Sequence, residues 1–161
     1  MALTKLNQPF SVLVLDLRNN PGGVLSAAND SASLFMNDKV VVQIKNRQGI
    51  QEVMRTHGTA QFADLPLVVL QNRYSASAAE VLASALQNNQ RAKVYGETSY
   101  GKGSIQSIVP INDNEAVKLP VAHYYSSKGE KIDGVGVKPD VTLTGAETSW
   151  QDQVLADLQT I

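Results

Sequence analysis

The segment PLVVLQNRYSASAAEVLASAL, residues 66–86, decides the fold class of this chain. It opens with an unbroken apolar run, PLVVL, the pattern of a strand covered on both faces. From Tyr74 the periodicity changes, and Val81, Leu82, Ala85 and Leu86 fall on one side of a helix. A doubly covered strand that feeds directly into a helix belongs to a layered α/β architecture.

The flanks repeat the theme. Residues 10–15 (FSVLVL) read as another strand buried on both faces, ended by the turn-rich stretch DLRNNPGG, residues 16–23. Residues 24–36 follow as a helix, with Val24, Leu25, Ala28, Ala32 and Phe35 at helical spacing. Residues 39–45 and 51–56 form a hairpin around Arg47-Gln48-Gly49. Downstream, residues 91–95, 105–111 and 116–125 read as strands, with Pro120 marking an edge or a bulge. Residues 150–158 close the chain as a helix, with Ser149 as its N-cap. The order predicts an α/β fold with a mixed, partly parallel sheet, and 161 residues fit one domain.

Composition narrows the function. The chain is 43% hydrophobic and 18% charged, the balance of a globular protein. A formal net charge of −1 supplies no attraction to nucleic acid or an anionic membrane. No apolar run is long enough for membrane insertion, and the first residues carry no signal peptide. The absence of cysteine removes thiol catalysis, and two distant histidines make no metal constellation.

The loop GETSYGKG, residues 96–103, imitates a phosphate-binding P-loop. A nucleotide site needs a hydroxyl residue directly after the lysine and a helix behind it. Gly103 follows Lys102 instead, and the next residues alternate as a strand. Lys102 between two glycines suits different chemistry: burial disfavours the charged amine and makes it a general base. Its nucleophile would come from Ser75 or Ser77, at the start of the helix in the opening segment. The helix dipole favours negative charge there, and the backbone N–H of Ala78 is available to an oxyanion. Gly22 or Gly23, ending the first buried strand, would supply a second N–H, because glycine permits close backbone approach. Ser77 with Glu80 also reads as a capping box, S-x-x-E, which is compatible with either role. His57 and His123 read as structural or exposed, Tyr124 and Tyr125 as packing or a groove wall, and Asp16 with Arg18 as braces of the glycine turn.

DLRNNPGG, YSASAAE (residues 74–80), GETSYGKGSIQ (residues 96–106) and DGVGVKPD (residues 133–140) appear in an order that resembles the C-terminal processing peptidases, or tail-specific proteases. The resemblance implies Ser77 as nucleophile and Lys102, 25 positions later, as general base. It implies Gln106 as the residue that orients the amine, and Gly23 with Ala78 as the oxyanion hole. Asn20-Pro-Gly-Gly replaces the family's N-G-G-G, and Ala79 stands where many relatives have serine; the functional glycines and the nucleophile are kept.

The fold implied is a crotonase-like (ClpP/crotonase-type) βαβ spiral. On this reading residues 1–161 are the protease core, without the PDZ domain and helical flanks usual in the family. The activity implied is a serine endopeptidase with a Ser-Lys dyad, cutting protein substrates near their C-termini. It needs no cofactor and works in the periplasm or another exported compartment of the parent protein. The alternative is a non-catalytic binding module of the same fold, like the retinoid-binding relatives.

Overall fold

A computed structural model describes residues 11–158. Eight strands divide into two four-stranded sheets. The first sheet is parallel throughout, in the order β1 (Leu13–Asp16), β4 (Leu67–Gln71), β5 (Lys93–Gly96) and β8 (Val141–Thr142). The second is antiparallel, ordered β3 (Gly49–Arg55), β2 (Val40–Asn46), β7 (Glu115–Tyr125) and β6 (Ser104–Asn112). Parallel and antiparallel pairing therefore separate into two sheets rather than mixing in one. The reason is local: β2–β3 and β6–β7 are hairpins, and a hairpin can pair only antiparallel.

The opening segment behaves as its pattern dictates. All five residues of β4 are buried. Leu67 and Val69 pack into one core with Ala28, Ala32, Val81, Leu82, Leu86, Val41 and Val42. Val68 and Leu70 enter a second core with Tyr95, Leu143, Trp150 and Val154. Side chains of a strand alternate between faces, so β4 needs both layers. Helices α1 (Leu25–Ser33) and α2 (Ala78–Asn88) cover the first face, between the parallel sheet and β2. Helix α3 (Trp150–Leu158) covers the second.

Several boundaries differ from the sequence reading. The first strand is described only from Leu13, and Phe10 lies outside the described residues. Helix α1 stops at Ser33, yet Phe35 and Met36 stay buried because the chain turns down against α2's core. Strand β8 has two residues, too few for any periodicity to reveal. It is preceded by Asp140, whose backbone N–H donates to Val94 O at 2.7 Å and whose Oδ2 accepts the Val94 N–H at 2.8 Å. Pro120 does sit at a bulge: Ile105 pairs with Ala122 and Gln106 with Pro120, so Val121 is skipped. Ser149 does not cap α3; its hydroxyl donates to Ala146 O at 2.9 Å inside a short 3₁₀ turn.

Both βα crossovers end at the same edge of the parallel sheet. The loop after β1 carries the glycines and the loop after β4 carries Ser77. The loop after β5 carries Lys102, so three neighbouring strands deliver three candidate motifs to one edge. Ligand sites of open α/β sheets collect at that edge.

Candidate active site

The loop after β4 separates the two candidate serines. Ser75 is buried and committed: its hydroxyl donates to Leu17 O at 2.8 Å and accepts the Asn72 N–H at 3.0 Å. Ser77 is half-buried and heads α2 with φ 56° and ψ −121°. Positive φ is costly for a residue with a Cβ, and strained residues of this kind cluster at functional sites. The turn that throws the chain into α2 thus lifts one serine out of the core.

Loop β1–α1 closes over it. Gly22, at φ +102°, lies so near that a Cβ on it would sit 2.7 Å from Ala76 O and from Ser77 Cβ. The approach is locked because Ala76 N–H donates to Asn20 O at 2.9 Å, while Asn20 Oδ1 accepts the Gly22 N–H at 2.9 Å. Neither the Gly23 N–H nor the Ala78 N–H has an acceptor among the described residues. Two backbone donors in the loops that meet at Ser77 therefore lack an acceptor among the described residues.

Lys102 is set from below. The side chain of Glu80, fully buried in the first turn of α2, accepts four hydrogen bonds. Its Oε2 takes the Ser77 N–H and the Lys102 N–H, each at 2.8 Å. Its Oε1 takes the Ser99 hydroxyl and the Gly101 N–H, each at 2.6 Å. The capping box read from the sequence is real, but it is also a bridge between the two loops. On the far side Gly103 N–H donates to Asp133 Oδ1 at 3.2 Å and Gly134 N–H to Gly101 O at 2.8 Å. A Cβ on Gly103 would meet Asp133 N at 2.4 Å, which explains glycine where a P-loop would carry a hydroxyl. The DGVGVKPD stretch is thus the backing of the lysine turn.

Other expectations change. Lys102 is exposed, and its amine makes no hydrogen bond or ion pair among the described residues, so the desolvation expected of it is not provided by these walls. Its turn is drawn to Glu80 through backbone N–H groups, and those leave the side chain pointing free of the core. Gln106 lies exposed on β6, opposite Pro120, with no hydrogen bond to Lys102. Both histidines are paired elsewhere: His57 Nε2 lies 2.8 Å from Asp30 Oδ1, and His123 Nδ1 lies 3.1 Å from Asp133 Oδ2. Tyr124 packs against the first core, where burial raises its pKa, and Tyr125 lies under the Lys45 amine at 4.3 Å.

Arg18 holds Asp16 in a fork and reaches Glu147 O, while Asp16 Oδ1 accepts the Arg18 N–H at 3.0 Å, so the pair ties the start of the glycine turn to the C-terminal segment. Burial pushes the Asp16 carboxyl up, but hydrogen bonds and charge from Arg18 outweigh it and hold it below the usual carboxylate range. Sequence reasoning left Ser99 without a role and read Glu80 only as a cap. The available signal was that the Lys102 turn, like any tight glycine turn, points backbone N–H groups that need an acceptor.

A sequence profile of peptidase family S41 matches residues 1–143. The chain belongs to peptidase family S41. Among relatives of this family, it is 46% identical over 127 residues to a carboxyl-terminal-processing protease of Synechocystis, covering 79% of this chain and 30% of that protein. It is 43% identical over 154 residues to a chloroplastic carboxyl-terminal-processing peptidase of Arabidopsis thaliana, covering 94% and 29% respectively. The chain therefore spans about a third of the length of these curated relatives. Among solved structures it resembles the photosystem II D1 C-terminal processing protease, with TM-score 0.81 and 40% identity over 88% of this chain and 36% of that one. A lipoprotein from Streptococcus agalactiae shares the fold at TM-score 0.74 and 18% identity, covering 96% of this chain and 56% of that one. An α/β fold of parallel and antiparallel sheets, shared with these relatives of family S41, is thus the frame for the site above.

Proposed function

We propose that this S41 chain is the catalytic core of a serine endopeptidase with a Ser77–Lys102 dyad, acting on protein substrates near their C-termini. The observation that carries the proposal is the strained Ser77, with Gly22 pressed against it and the backbone N–H groups of Gly23 and Ala78 without an acceptor among the described residues. Lys102, on the neighbouring loop, serves as the general base. Its amine takes the Ser77 proton as Oγ attacks the scissile carbonyl. The Gly23 and Ala78 N–H groups hold the oxyanion; one such donor is worth about 3–4 kcal/mol in a known protease. Lys102 then gives its proton to the leaving amine, and water hydrolyses the acyl-enzyme. Gln106 orients the amine once substrate orders the mouth. The mechanism calls on no metal or cofactor.

The wider reading takes the fold as a crotonase-like spiral and the parent protein as exported or lumenal. The chloroplastic and bacterial relatives support that location. Among the described residues no helix is long and apolar enough to cross a membrane.

A fluorophosphonate probe tests the proposal. Labelling of the chain, its loss in Ser77→Ala, and a rise with pH that disappears in Lys102→Ala are the expected results. Labelling that survives Ser77→Ala overturns the assignment. A wild-type chain that binds an apolar peptide and never labels would instead be the non-catalytic module.

A further inference from the structure

An ordinary capping box asks one thing of its glutamate: to accept the N-cap N–H, three residues back. Glu80 does this for Ser77, and then accepts three more donors from a loop that begins 19 positions downstream. The four bonds are all donations to the carboxylate. Ser99 Oγ itself accepts the Val137 N–H at 2.7 Å, so its hydroxyl proton is free to point at Glu80. No cationic side chain pairs with Glu80 among the described residues; backbone dipoles, the hydroxyl and the N-terminus of α2 offset its buried charge. The same oxygen, Oε2, holds the amides of both Ser77 and Lys102. Two N–H groups on one oxygen tie the two loops at Ser77 and Lys102 themselves, next to the direct bond from the Tyr100 N–H to Ser75 O at 3.0 Å.

We propose that Glu80 is the positioning residue that keeps nucleophile and base in one frame, and that Ser99 is its support. This rests on the reading of Ser77 as nucleophile. Glu80 touches no reacting atom. It sets where the Ser77 Cα and the Lys102 Cα stand, and hence how far the amine must reach. A glutamine of equal length cannot substitute. With its NH₂ toward Ser77 and Lys102 both of those bonds are lost; with it toward Ser99 and Gly101 the Gly101 bond is lost and the Ser99 hydroxyl must turn from donor to acceptor.

The test is the rate and the stoichiometry of fluorophosphonate labelling in Glu80→Gln and Ser99→Ala. In Glu80→Gln, labelling reaches one probe per chain at a rate about 10²-fold below wild type, the scale expected when reacting groups are misplaced by about 1 Å. In Ser99→Ala, which removes one of the four bonds to Glu80 together with the acceptor of the Val137 N–H and touches neither reacting residue, the rate falls about tenfold by the same argument. Hydrogen exchange at the Ser77 and Lys102 amides speeds up together in Glu80→Gln, while β4 amides stay protected.

Labelling at the wild-type rate in both variants overturns the proposal. So does wild-type rate on a reduced fraction of chains, the mark of a purely structural role. Should Glu80→Gln fail to fold, Ser99→Ala decides. No labelling of the wild type sinks the hydrolase reading itself, and the role of Glu80 with it.

Discussion

Ser77 stands at φ 56° and ψ −121°, a corner of conformational space where glycine is at ease and serine is not. Such a residue costs on the order of 1–3 kcal/mol, less the extra chain entropy a glycine loses on folding. Ser77→Gly is therefore expected to raise stability by about 1 kcal/mol, or roughly 2–4 °C in Tm for a chain of this size, while abolishing labelling. Thermal unfolding of the two proteins checks it, and an unchanged or lower Tm would show that the turn is not strained. The converse holds at Gly22, where a Cβ would strike backbone and the φ of +102° disfavours any side chain. Gly22→Ala should destabilise by about 2 kcal/mol and lose labelling, since the collision falls on Ala76 O and Ser77 themselves.

At the scale of elements, α3 is docked through Trp150 and Val154, with Leu158 packed beside them. Trp150 is fully buried over the sheet face formed by Val68, Leu70 and Tyr95. Trp150→Ala should cost about 3–5 kcal/mol, measured by chemical denaturation. Tyr95 adds a bond from its hydroxyl to Asp157 Oδ2 at 2.6 Å, and burial followed by that bond pushes its pKa up to about 12. The folded state thus favours the neutral phenol. Its contribution is complete below an unfolded tyrosine's pKa of about 10 and is lost as pH climbs from there through about 12. Denaturation of wild type and Tyr95→Phe should give a stability difference that holds to about pH 10 and shifts against wild type above it. A difference flat to pH 12 would refute the shift.

Elements were legible in the sequence wherever pattern alone determines them. β4 reads as doubly buried because both faces are apolar, and both cores confirm it. The split into two sheets was not legible, since β2 meets β7 only at Gln43, Ile44 and Lys45, a pairing between strands some 80 residues apart. Ser77 and Lys102 stood out by motif, and the choice of Ser77 over Ser75 needed the hydroxyl's partners. Glu80 was visible only as a cap, because nothing in S-x-x-E announces that a distant loop will bring three more donors.

For the molecule as a whole, burial is uneven. Two cores stabilise the parallel sheet from both sides, whereas β6 and β7 run outward beyond the last pairing with β2. Ile108, Val109, Ile111, Val117, Leu119 and Val121 are exposed along that ribbon. A two-stranded ribbon without a covering layer is only marginally stable. Its amides should therefore open and exchange long before those of β4, in native-state hydrogen exchange, and a protease should nick first at the Asp113–Asn114 tip. Because the ribbon starts two residues after Lys102, this lysine sits at a boundary between a rigid body and a breathing one. Its turn is held by Glu80, by Asp133 and, at the base of the ribbon, by the Tyr124 N–H on Gly103 O at 2.7 Å, so cutting the distant ribbon tip should leave the Ser77 labelling rate unchanged.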